Sequence, residues 1–183
     1  PYLRLVRMNR PIGTFLLLWP TLWALWLAAD GSPDPDIVVI FIAGTFVMRA
    51  AGCAINDFAD RDFDPHVDRT RNRPLATGEL APAKALVTFA VLLGVALLLV
   101  LQLNRETILL SLGGAIVAAA YPFTKRFTQL PQLVLGVAFS CGIPMAYAAT
   151  GAGLGWETLW LFTANFFWIV SYDTLYAMAD RED

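Results

Sequence analysis

The chain has 183 residues, a formal net charge of −2, 57% hydrophobic residues and six Trp, against the roughly 45–50% apolar content usual for soluble domains. Its one histidine, His66, and its two cysteines, Cys53 and Cys141, offer neither a CxxC pair nor a His–Cys grouping, which excludes His-based metal sites and triads built on a conventional base. The apolar excess comes in blocks of about 20 residues, each able to cross a hydrocarbon layer of roughly 30 Å as a helix.

Arg4, Arg7 and Arg10 precede Pro11, after which Ile12 to Ala29 reads as a first span, interrupted by Pro20 and ending in the Pro-rich turn Asp30 to Asp36. A second span runs from about Ile37 to Ile55 and delivers the acidic stretch NDFADRDFDPHVDRTRNR, Asn56 to Arg73. After a basic loop and Leu80 to Pro82, spans are expected at roughly 84–103, 106–121, 130–149 and 156–178. Six crossings make an all-α, polytopic transmembrane bundle, with residues 1–183 a single membrane-embedded domain. The pattern predicts no separate soluble domain, low-complexity tract or cleavable signal peptide, since the first apolar run follows an Arg-rich start at spanning length.

Placing the start in the cytoplasm also places the loops at 57–84 and 122–129 and the C-terminal end there. Of the thirteen Lys and Arg, only Arg105 then falls outside, and Arg49 lies within a span. That bias fixes the orientation and turns every acidic motif toward the cytoplasm. The two cysteines read as packing residues and His66 as a loop residue. Gly113, Gly114, Gly136 and Gly142 permit close helix contact, and Pro122 and Pro144 are candidate helix breaks.

The chemistry concentrates at Asn56 to Arg73. On a helix, Asn56, Asp60 and Asp64 stand at i, i+4 and i+8 and share one face. Carboxylates so close repel one another unless a cation lies between them, and Mg²⁺ suits them because it takes oxygen ligands and keeps exchangeable waters. Arg69, Arg71 and Arg73 alternate in a way that suits an extended loop closing over an anion. Metal and anion together point to a diphosphate. A merely solvated acidic loop is the competing reading, weakened by a second acidic cluster near Asp180. A cation-coupled transporter is the other alternative, but its carboxylates belong near mid-membrane and not at one interface.

The arrangement N56-D57-x-x-D60-x-x-x-D64 after a span, Y121-x-x-x-K125 at the end of another, and D173-T-x-Y176-A-M-x-D180-R-E-D at the end of a third resembles the UbiA-type intramembrane aromatic prenyltransferases. Within that family, RPIGTFLLLWPTLWALW, MRAAGCAIND, NRPLATG and YDTLYAMADRED are most similar to the bacterial members that prenylate 4-hydroxybenzoate in ubiquinone biosynthesis. Members with naphthoate, haem or chlorophyll acceptors are the alternative within the family.

The resemblance implies a nine-span fold of which about six spans are present, so the chain looks truncated after Asp183. It also implies polyprenyl diphosphate and 4-hydroxybenzoate as substrates, Mg²⁺ as cofactor, and a bacterial inner (plasma) membrane location. The bilayer is the expected surrounding; no nucleic acid and no obligatory protein partner is expected. Asn56, Asp60 and Asp64 are implied for one Mg²⁺ half-site and Asp180 for the other. Asp57 is a weaker candidate, since it points about 100° away from Asn56. Arg69, Arg73, Lys125 and Arg10 are implied to grip the diphosphate, and Tyr121 to donate a hydrogen bond beside it; Arg71 is less clearly involved, and Arg126 reads as an anchor.

Asp173 would orient the phenol, stabilise a cation or accept the ring proton. Arg49, inside a span, needs an anionic partner. It is expected to be the acceptor's carboxylate, about 10 Å deeper than Asn56 by helix rise, or else Asp173, another helix's carboxylate or a helix-end carbonyl. The aromatics Phe166, Phe167, Trp168 and Tyr172 would line a polyprenyl channel or face lipid.

Overall fold

A computed structural model describes residues 1–179 except Arg69 and Lys125. A short N-terminal helix α1 (Tyr2–Leu5) leads into α2 (Ile12–Ala28) and α3 (Pro35–Asp60). A long loop follows, then α4 (Pro82–Val100), α5 (Arg105–Thr124), the consecutive α6 (Pro131–Ser140) and α7 (Gly142–Thr150), and α8 (Trp156–Ala179).

Local sequence sets the boundaries. Helix α2 closes in a Schellman turn: Asp30 takes the left-handed conformation, and the amides of Gly31 and Asp30 donate to the carbonyls of Trp26 and Leu27 at 2.8 and 3.3 Å. Helix α3 opens with Asp34 as N-cap, its carboxylate accepting from the Asp36 amide at 2.8 Å, and Pro35 in the first turn. Asn104 starts α5, accepting from the amide and hydroxyl of Thr107 at 2.9 and 2.7 Å and donating to Ala148 O of α7 at 2.5 Å. The break at Cys141 follows from Pro144, which has no amide to offer the Ser140 carbonyl four residues back. The freed turn is held by Asn165 of α8, which donates to Ser140 Oγ at 2.9 Å. Pro122, by contrast, is accommodated inside α5.

Among the described residues, four segments are long and apolar enough to cross a membrane: α3, α4, α5 and the continuous run Pro131–Thr150. The chain is a multi-pass membrane protein. The six-crossing expectation holds for the order of the helices but not for equal spanning character. At 17 residues, α2 reaches only about 25 Å, and α8 interrupts its apolar residues with Thr158, Asn165 and Asp173. Exposed large residues such as Leu98 and Ile116 lie on faces suited to lipid.

The most extensive packing joins α3 to α4, α6 to α8 and α2 to α7. One buried cluster gathers Ala24, Leu25, Phe41, Ile143, Ala146 and Tyr147. A second, formed by Leu5, Ala54, Leu75, Leu80 and Ala85, clamps the loop after α3 against the helix bearing the acidic stretch. Close helix approach uses Gly114 against Cys141, Gly136 against Phe166 and Gly142 against Thr21, whereas Gly113 faces open space.

Candidate functional site

A cavity of about 530 Å³ runs through the bundle, within the range of small-molecule sites. Its polar lining includes Arg7, Arg49, Asn56, Tyr121, Asp173 and Tyr176, and the rest of the wall is largely apolar, with Phe41, Met48, Leu97, Val100 and Leu112. Asn56 and Arg49 are seven residues apart on α3, so about 10 Å of helix separates the acidic mouth from the deeper guanidinium.

At the mouth the carboxylates are not equivalent. Asn56 Nδ2 donates to Asp60 Oδ2 at 3.1 Å, the one-turn neighbour relation expected of the helix. Asp64 departs from that expectation: α3 ends at Asp60, and Asp64 opens a 3-10 turn, Asp64–His66. The cause is Pro65, which disfavours helical backbone before it and supplies no amide to continue the ladder. Asp64 instead folds back, 5% exposed, and accepts from Arg73 Nη1 at 3.0 and 2.8 Å. Burial raises its carboxyl above the usual carboxylate range; Arg73 opposes that shift, while Asp57 and Asp60 add to it.

Asp57, only 1% exposed, faces away from the cavity, as its 100° offset requires. Its Oδ1 accepts from Arg7 Nη2 at 2.8 Å and lies 3.2 Å from Arg73 Nη1. Its Oδ2 is buried without a hydrogen-bond partner among the described residues. Arg7 was not singled out by sequence reasoning, although it both lines the cavity and holds Asp57 across 50 positions. Its backbone, at φ 54°, is rare for a non-glycine residue and belongs to the turn that folds the N-terminus over α3.

The basic loop is not extended. Amides of Thr70, Arg71, Arg73 and Thr77 donate to Val67, Val67, Thr70 and Arg73 carbonyls, and Thr70 Oγ1 donates to Asp64 O at 2.9 Å, so successive tight turns replace an open strand. Arg73 is consequently drawn onto Asp64 and Asp57, and Arg71 pairs with Asp68 at the exposed surface, 2.8 Å away. Arg10 is exposed and outside the cavity lining. Arg69, Lys125 and Asp180 lie outside the described residues. Arg126, read as an anchor, donates to Ala59 O at 2.9 Å and so ties the α5–α6 loop to the end of α3.

Arg49 is half-buried and lines the cavity together with Asp173 and Tyr121. Of the aromatics on α8, Tyr172 lines the cavity, stacked with Tyr176 at 6.0 Å. Trp168 stacks on Trp23 at 6.2 Å, and Phe167 is exposed. Cys53 and Cys141 are both free thiols.

The donor set at the mouth, amide and carboxylate oxygens with no histidine or thiolate, suits a hard cation such as Mg²⁺. No three His, Cys, Asp or Glu side chains among the described residues converge into a closed cage. An open set of oxygens is what Mg²⁺ uses when phosphate and water complete its shell.

Residues 17–183 match the UbiA prenyltransferase family. The chain is 59% identical over its whole length to a 4-hydroxybenzoate octaprenyltransferase of Saccharophagus degradans and 60% identical to one of Nitrosomonas eutropha. It spans 61% and 64% of those two proteins. Among solved structures, the apo UbiA homolog of Aeropyrum pernix K1 is 27% identical, with a TM-score of 0.79 over 93% of this chain and 65% of its own. The Archaeoglobus fulgidus UbiA homolog, solved with DMAPP and Mg²⁺, has the same fold, with a TM-score of 0.83 at 22% identity over 99% of this chain and 64% of its own. A helical membrane bundle with an oxygen-rich mouth over an apolar cavity thus joins a family match over nearly its whole length, and the chain belongs to the UbiA prenyltransferase family.

Proposed function

We propose that this chain forms the greater part of an enzyme that transfers a polyprenyl group from polyprenyl diphosphate to the ring of 4-hydroxybenzoate, releasing diphosphate, as a step of ubiquinone biosynthesis. The observation that carries the reading is a single cavity that runs from the acidic mouth at Asn56, past Arg49 and Asp173, into an apolar end. Such a cavity suits a substrate with a charged head and a hydrocarbon tail. The activity named for the two bacterial relatives supplies the acceptor.

In this reading Asn56, Asp60 and Asp64, with Asp180, hold Mg²⁺, which when bound neutralises the diphosphate leaving group. Arg10, Arg69, Arg73 and Lys125 grip the diphosphate, and Tyr121 donates a hydrogen bond beside it. Asp57 serves the site indirectly, as the counter-charge that holds Arg7 and Arg73 at the mouth. The allylic C–O bond breaks with its electron pair leaving on the diphosphate oxygen. The ring carbon beside the hydroxyl then donates a pair to the allylic cation, and the apolar wall keeps water from that cation. Asp173 orients the phenol, stabilises the cation or takes the ring proton, and Arg49 pairs with the acceptor's carboxylate through its planar fork; their common position in the cavity lining supports these roles. The mouth faces the cytoplasm across the inner membrane of a bacterium, in keeping with the distribution of Lys and Arg.

The test is incubation of the full-length protein in membranes with radiolabelled prenyl diphosphate and a panel of aromatic acids, with and without Mg²⁺. Label moving to 4-hydroxybenzoate only with the metal is the expected result. Transfer to a naphthoate in its place would assign another branch of the family.

A further inference from the structure

Among the glycines, the one at which a side chain would meet its neighbour most closely is Gly13 of α2, and that neighbour is Arg49. Gly13 is buried in the first turn of α2, and a Cβ on it would lie 2.3 Å from Arg49 Nη2 and 2.7 Å from both Cζ and Nε. The guanidinium therefore rests on the backbone of α2, in space that any side chain at position 13 would occupy. Helix formation does not explain the glycine, since alanine is the better helix former. Nor does helix-on-helix packing explain it in the manner of Gly114, Gly136 and Gly142, which face neighbours with short or uncharged side chains. At Gly13 the neighbour is the charged end of a long side chain, and both residues line the cavity.

We propose that Gly13 is a positioning residue for acceptor specificity, its missing Cβ giving the Arg49 guanidinium the one seat from which it meets the acceptor's carboxylate. The inference rests on the assignment of that carboxylate to Arg49. A methyl at position 13 displaces the guanidinium by about 1 Å, the shortfall between 2.3 Å and the 3.4 Å of ordinary contact. Because the obstructed group is the tip of a flexible side chain, the displacement is felt in ligand geometry before it is felt in the fold. Misplacement on that scale weakens a bidentate contact severely.

The experiment compares Gly13→Ala, Arg49→Lys and the double variant in the full-length membrane protein, measuring KM for 4-hydroxybenzoate and for prenyl diphosphate and the thermal midpoint. Gly13→Ala is expected to raise the acceptor KM at least about fivefold and to leave the diphosphate KM within about twofold, with no loss of thermal stability. Arg49→Lys is expected to cost less in the Gly13→Ala background than alone, since the two changes act on one contact. Additive effects, or equal loss for both substrates, overturn the proposal. If Arg49→Lys selectively raises the acceptor KM and Gly13→Ala is silent, only the role of Gly13 falls. If Arg49→Lys itself shows no selectivity, the carboxylate assignment falls first and Gly13 with it. Should Gly13→Ala fail to accumulate, adding Arg49→Ala restores folded protein if the methyl meets Arg49, and failure of that rescue overturns the proposal.

Discussion

The two ends of the bundle satisfy buried polar groups in opposite ways. At the end far from the acidic stretch, Asn104 caps α5 and ties it to α7 with neutral hydrogen bonds, beside the apolar cluster around Leu25, Phe41 and Ile143. At the near end, Asp57 and Asp64 are buried and answered by Arg7 and Arg73. Neutral caps cost little desolvation. Buried ions cost several kcal/mol each, and good pairing little more than offsets that cost. Charge gathered where burial makes it expensive marks an end organised for a charged ligand, whereas the far end is organised for stability.

Breaking each end should therefore give different signatures. The largest effect is expected from Asp60→Ala, which removes an oxygen donor at the mouth; kcat/KM should fall by about 10²-fold or more while the thermal midpoint in detergent stays near wild type. Near-normal turnover at limiting Mg²⁺ in a well-expressed variant would remove Asp60 from the site. Arg7→Ala comes next. It leaves Asp57 with Arg73 alone, and a loss of about 1.5–3 kcal/mol is expected for the missing charge-assisted bond, read as a lower midpoint accompanied by a raised KM for prenyl diphosphate. An unchanged midpoint would mean that Arg7 does not support the mouth. The smallest effect is expected from Asn104→Ala, about 1 kcal/mol for a lost cap, with both KM values unaltered. A change in either KM would erase the distinction between the ends.

Much of this division was legible in the residues. The order of the helices, the acidic stretch at the end of the second long one, and the offset of Asp57 all follow from periodicity, since α3 is regular through Asp60. Asp64 was misplaced by extending that regularity across Pro65, although the Asp-Pro pair carried the contrary signal. The arginine loop read as extended because alternation suggests a strand, while the turns that form there depend on the hydrogen bond from Thr70 to Asp64. Arg7 escaped notice for a different reason: its weight comes from a partner 50 positions away, brought near by the burial of Leu5 against Ala54 and Leu75. Local pattern does not encode such a contact. The seat of Arg49 on Gly13 is likewise tertiary, because nothing in RPIGTF distinguishes a glycine that admits a guanidinium from one that admits a helix.

The central claim, that the mouth holds the diphosphate while the deeper Arg49 reads the acceptor's carboxylate, is tested most directly by comparing 4-hydroxybenzoate with its primary amide as acceptors. In the wild-type full-length protein the acid should be preferred in kcat/KM by at least about tenfold, the scale of one charge-assisted contact. In Arg49→Ala that preference should collapse toward unity, with the KM for prenyl diphosphate unchanged. An acid-to-amide ratio that survives the loss of Arg49 would contradict the account.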